Sequence, residues 1–156
     1  MERISRENMF IEIAQVVSKR STCLRKQVGC VLVKDNRVIS IGYNGVLPHT
    51  DPSEGLDENG NSHTVHAEAN LIAFCAKNGI PTNNSILFVT LSPCEKCAEL
   101  IVQSGIKLVY FVEKYRDDTD LKLLIKNKIQ VIEWQGILYL RFLRRISIGG
   151  TQMIER

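Results

Sequence analysis

Two short runs, Thr64-Val65-His66-Ala67-Glu68 and Ser92-Pro93-Cys94-Glu95-Lys96-Cys97, constrain this chain more than anything else in it. Together they give H-x-E followed by P-C-x-x-C. An imidazole and two thiolates, from His66, Cys94 and Cys97, can hold a zinc ion on three sides, and the Glu68 carboxylate stands beside them. Three protein ligands leave one corner of a tetrahedron open for water, which marks a catalytic rather than a structural zinc. Zinc lowers the pKa of such a water from about 16 towards roughly 7.

Both runs read as helix starts, which explains the spacing. Ser92 is the expected N-cap, Pro93 the first helical residue, and Glu95 completes a Ser-x-x-Glu capping box. Cys94 then falls in the first turn with Cys97 at i+3 on the same face. The positive end of the helix dipole favours the thiolates that a metal needs. Gly105 closes this helix as its C′ residue. Thr64 is the expected cap of a helix reaching Asn78, stopped by Gly79 and Pro81. His66 and Glu68 are two apart and would diverge in mid-helix, but first-turn side chains lean back past the helix end.

Two plainer readings compete. A lone C-x-x-C can be a redox pair, but that pair follows a strand opening a thioredoxin-like unit and has no use for a matching His and Glu. A structural zinc needs a fourth ligand, from Cys23, Cys30, Cys75, His49 or His63. Cys75 lies too far along the helix from His66, and Cys30 sits in an apolar run that suits core packing.

The length, 156 residues, fits a single domain over 1–156 with a core of its own. Five cysteines, an odd number, point to a reducing compartment, with the cytoplasm the expected location. No signal-like segment and no run of 18 apolar residues is present, so secretion and membrane spanning are not expected. A net charge of +3 suits an anionic small molecule better than a nucleic-acid surface.

Along the chain, residues 5–20 have the spacing of an amphipathic helix. Val28–Lys34 and Arg37–Tyr43 form a hairpin about Asp35-Asn36, delivering Gly42-Tyr43-Asn44-Gly45. The polar stretch 47–63 is a candidate lid or an ordinary surface loop. Strands are expected at 85–91, 107–113 and 129–133, with helices between them and a last one over 137–146. Strand–helix alternation implies parallel crossovers. The result is a three-layer α/β/α sandwich with a mixed sheet of about five strands and the metal at helix N-termini.

With Asn44, His66, Glu68, Cys94 and Cys97 in view, the chain resembles the cytidine deaminase superfamily. Within it, Gly42-Tyr43-Asn44-Gly45 and Lys114-Tyr115-Arg116-Asp117 are similar to segments of the deoxycytidylate (dCMP) deaminases. The resemblance implies a cytidine-deaminase-like fold and the reaction of dCMP with water to give dUMP and ammonia, supplying dTTP synthesis. It implies zinc on His66, Cys94 and Cys97, with Glu68 carrying protons to N3 and the leaving amine. Asn44 is expected on the sugar or ring, and Leu91 and Ser92 at the exocyclic amine. Ser21, Thr22, Arg25, Lys26, Tyr115 and Arg116 are the candidates for the 5′-phosphate.

The resemblance further implies a homo-hexamer activated by dCTP and inhibited by dTTP, with Mg2+ on the triphosphate. Gly29, Gly42, Tyr43 and Gly45 are the candidate effector residues. Two rival functions remain at this level. A deaminase of adenosine in tRNA, or of another nucleobase or nucleoside, would share the zinc site but want a basic stripe. A non-catalytic zinc module that senses nucleotides would have no need of Glu68.

Overall fold

The computed structural model describes residues 3–115 and 119–135. Arg116 and the helix expected over 137–146 lie outside the described residues. The elements follow in the order α1 (Arg6–Ser18), β1 (Gly29–Lys34), β2 (Arg37–Tyr43), α2 (Ala67–Lys77), β3 (Ile86–Leu91), α3 (Glu95–Gln103), β4 (Leu108–Glu113), α4 (Thr119–Lys126) and β5 (Gln130–Glu133). A short 3-10 helix, Pro52–Gly55, interrupts the polar stretch before α2.

The strands form one mixed sheet in the order β2-β1-β3-β4-β5. The β1–β2 hairpin turns at Asp35 and Asn36, both at positive φ (49° and 60°), the conformation a two-residue hairpin turn requires. The same strand β1 pairs antiparallel with β3, so the parallel crossovers expected from strand–helix alternation are confined to β3–β4 and β4–β5.

Period-two alternation assigns the two faces of the sheet to different helices. Cys30, Leu32, Leu87, Val89, Val109 and Phe111 point to one side, where they pack against Leu71 and Cys75 of α2, Ile101 of α3 and Leu124 of α4. Val31, Val33 and Phe88 point to the other, against Phe10, Ile11 and Ala14 of α1. This yields the three-layer sandwich. Side chains such as Leu71 and Phe88, with 0% and 2% of their surface exposed, each contribute about 1.5–3 kcal/mol by burial. Among the described residues no helix is long and apolar enough to cross a membrane.

Two glycines set how closely the helices approach. A Cβ on Gly29 would lie 2.3 Å from the Ala14 carbonyl oxygen in α1. One on Gly42 would lie 2.5 Å from the Ala67 carbonyl oxygen in the first turn of α2. The second contact bears on function, because it presses the start of α2 against the end of β2.

Candidate metal centre and pocket

The two helices that carry the metal-binding run begin later than their sequences suggest. α2 is capped by His66, not Thr64, and α3 by Cys94, not Ser92. Both cap residues have extended backbones (ψ 153° and 169°), and neither side chain makes a cap hydrogen bond. The positions that favour Ser, Thr, Asp or Asn are thus held by ligand-type side chains left available for a metal. Extended dihedrals also explain how His66 and Glu68 serve one site, since the divergence of residues two apart applies inside a helix, not across its cap.

Ser92 does not form the expected capping box. Its amide donates to the Glu113 carbonyl (2.8 Å), extending the β3–β4 ladder, and its hydroxyl accepts from the Tyr115 amide (2.8 Å). The hydroxyl that would have capped α3 is committed across the sheet instead. At the end of α3, Gly105 stands at φ 72° as the expected C′ glycine.

Local pairing fixes the start of α2. Gly45 and Val65 form an isolated antiparallel bridge (Gly45 N to Val65 O 3.1 Å, Val65 N to Gly45 O 2.8 Å). The Asn70 side chain donates to the Tyr43 carbonyl (2.8 Å). These bonds, with the Gly42–Ala67 contact, dock His66 beside the end of β2. The end of β3 leads through Ser92 and Pro93 to Cys94.

The outcome is a cluster of His66, Cys94 and Cys97 whose ligand atoms all lie within 4.8 Å of one another. His66 Nδ1 is 3.4 Å from the Sγ of each cysteine. Tetrahedral zinc with bonds of about 2.3 Å to sulfur and about 2.05 Å to nitrogen separates N from S by roughly 3.5 Å. The donor set therefore fits zinc in both chemistry and span. Among the described residues no fourth side chain joins the cluster. Cys30 and Cys75 are in the core, Cys23 Sγ lies 3.6 Å from Ser62 Oγ, and exposed His63 faces Asp57 at 3.8 Å.

Electrostatics follow from this crowding. The neighbouring Cys97 thiol, then the His66 ring, holds the Cys94 thiol down at about 3. Cys97 is pushed up by the Cys94 sulfur beside it and by burial, so one proton belongs to the pair. A divalent cation held by His66, Cys94 and Cys97 would favour the loss of that proton. The hydrogen bond with Cys94 raises His66. Glu68, 4% exposed, has its carboxyl raised chiefly by burial, against the pull of its own backbone amide and His66.

These groups meet at one pocket. His66, Glu68 and Cys94 line it together with Asn44, Leu91, Ser92 and Tyr115, and Arg25 and Lys26 belong to its wall. Cys23, Ser62 and Thr64 also line it. In the sequence Cys23 stands out only as a possible fourth ligand of a structural zinc and Thr64 only as a helix cap, and Ser62 carries no signal beyond its place in a polar loop. Ser21 and Thr22 are not among the lining residues. The Ser21 hydroxyl donates to Asn44 Oδ1 (2.7 Å) and Thr22 Oγ1 accepts from the Val46 amide (3.1 Å).

Asn44 has a structural task of its own. Oδ1 also accepts from the Val28 amide (2.8 Å), and Nδ2 donates to the Lys26 carbonyl (2.8 Å). Its side chain thereby ties the end of β2 to the segment bearing Arg25 and Lys26. The candidate effector residues likewise have packing roles: Gly29 and Gly42 admit helices, a Cβ on Gly45 would meet Thr22 Oγ1 at 2.6 Å, and the Tyr43 carbonyl anchors Asn70.

Comparison with known proteins agrees with this geometry. Residues 4–113 match the family model for the cytidine and deoxycytidylate deaminase zinc-binding region. ComE operon protein 2 of Bacillus subtilis (strain 168) is 39% identical over 120 residues, covering 74% of this chain and 64% of that protein. A probable deoxycytidylate deaminase of Caenorhabditis elegans is 39% identical over 122 residues, covering 74% of this chain and 60% of that protein. The chain thus spans less than two thirds of the length of either. The dCMP deaminase of cyanophage S-TIM5, solved with dCMP and dUMP, superposes with a TM-score of 0.77 at 28% identity over 86% of this chain and 100% of that one. On its sequence, its fold and the cluster at the two helix starts, the chain belongs to the family of the cytidine and deoxycytidylate deaminase zinc-binding region.

Proposed function

We propose that this protein is a zinc-dependent deaminase that converts dCMP and water to dUMP and ammonia. The observation that carries the reading is the convergence, in one pocket, of a buried carboxyl and the His/Cys/Cys cluster with two cationic side chains in the wall. The kinship with proteins named as deoxycytidylate deaminases supports the choice of nucleotide.

Zinc held by His66, Cys94 and Cys97 would supply Lewis acidity and a lowered water pKa at the pocket floor. Glu68 is the proton carrier. Its carboxylate takes a proton from the water that attacks C4, passes it to N3, and a second transfer lets the amine leave as ammonia. A carboxyl raised by burial suits a group that must both accept and release a proton near neutral pH. The pyrimidine sits against Leu91 and Ser92, Asn44 meets the sugar, and Arg25, Lys26 and Tyr115 face the 5′-phosphate, with Arg116 assigned there by family resemblance alone.

The same reading extends, by family resemblance, to a homo-hexamer controlled by dCTP and dTTP with Mg2+ on the effector. The five free cysteines support a reducing compartment such as the cytoplasm. The deciding experiment is ammonia release by the zinc-loaded protein from cytidine, deoxycytidine, dCMP and dCTP, each with and without dCTP or dTTP as effector. Turnover highest on dCMP is expected, and turnover confined to RNA adenosine would remove the proposal.

A further inference from the structure

A second recess lies against the first. It is lined by Ser18, Gln27, Thr90 and Glu113 as well as by Arg25 and Lys26, so the two recesses share a wall carrying both cations. Glu113 lines only the outer recess and is the one carboxylate among its lining residues. It closes β4, paired with Leu91, and its Oε2 lies 2.5 Å from Lys26 Nζ. The two side chains are 52% (Lys26) and 60% (Glu113) exposed. Such an open pair does little to hold a fold together. Its arrangement matters more for what approaches the wall.

We infer that Glu113 is a specificity-determining residue that restricts the nucleotide to a single phosphate. This rests on the dCMP reading above. A 5′-phosphate reaching the wall from the metal side meets Arg25 and Lys26. A longer phosphate chain must continue beyond them into the outer recess, where the Glu113 carboxylate opposes each added charge. Glu113 also competes with any phosphate for Lys26, which makes the monophosphate pay a smaller penalty of the same sign. A nucleoside without phosphate experiences neither effect.

Equilibrium binding of deoxyuridine, dUMP and dUDP to the full chain, measured calorimetrically for wild type, Glu113→Gln and Glu113→Asp, tests the inference. Removing the charge in Glu113→Gln should tighten dUDP roughly three- to tenfold, the scale of one unscreened surface charge near a polyanion. It should tighten dUMP by less and leave deoxyuridine unchanged, while Glu113→Asp keeps the wild-type preference for dUMP. The gain for dUDP should shrink at high salt. An equal change for all three ligands, or none for dUDP, overturns the role of Glu113. If wild type binds dUMP no better than deoxyuridine, phosphate recognition at this wall fails first, and the inference falls with it for a separately visible reason.

Discussion

The floor and the rim of the pocket are built in opposite ways. At the floor, His66, Glu68, Cys94 and Cys97 occupy the caps or first turns of two helices whose positions are fixed by strand ends, a β-bridge and the Gly42–Ala67 contact. At the rim, Arg25 and Lys26 are exposed side chains on an irregular segment, and the Lys26 partner is an equally exposed carboxylate. The floor has a geometry that backbone dictates. The rim has a charge that side chains can redistribute. Under the proposed function, chemistry that needs reacting groups held within fractions of an ångström falls to the first, and recognition of a mobile anion to the second.

That contrast can be broken from the floor outward. The largest effect is expected from Cys97→Ala, which leaves two of three donors; metal analysis of the purified variant should find little or no zinc where wild type holds one per chain, and turnover should vanish. Full zinc occupancy in that variant would mean that the cluster is not the metal centre. Glu68→Gln comes next. It should keep zinc while kcat falls by about 10²–10⁴-fold, the usual contribution of a positioned acid–base group. A variant that keeps both metal and rate would remove Glu68 as the proton carrier, whereas a wild type that holds zinc without turnover would reopen the reading as a nucleotide-sensing module.

Gly42→Ala probes the join between floor and scaffold. The added carbon would meet backbone at 2.5 Å, so α2 must shift. A loss of about 1–3 kcal/mol of stability is expected in chemical denaturation, with a fall in kcat as His66 and Glu68 move with the helix. Arg25→Ala should do least: about a tenfold or smaller rise in KM for dCMP, with kcat and the KM for deoxycytidine unchanged. Equal effects on nucleotide and nucleoside would erase the distinction between floor and rim.

The same division governs what could be read from sequence. The ligands were legible because H-x-E and P-C-x-x-C are short, local patterns, and the strands because short runs rich in β-branched and other apolar residues stand between turn signals. The helix starts differ from the sequence expectation because Thr64 and Ser92 have the right chemistry two residues too early; their hydroxyls serve Ser62 and Tyr115 instead. Antiparallel β1–β3 pairing was not foreseen because its register depends on contacts between residues about sixty positions apart. The pairing of Lys26 with Glu113 was invisible for the same reason, at a separation of 87 residues.

One consequence concerns the orientation of Asn44. With Oδ1 occupied by the Val28 amide and the Ser21 hydroxyl, and Nδ2 giving one hydrogen to Lys26, what this side chain can still offer an incoming molecule is a hydrogen, not a lone pair. A sugar oxygen that meets it must therefore act as acceptor, and because the amide is already anchored, that contact loses no rotational freedom on binding.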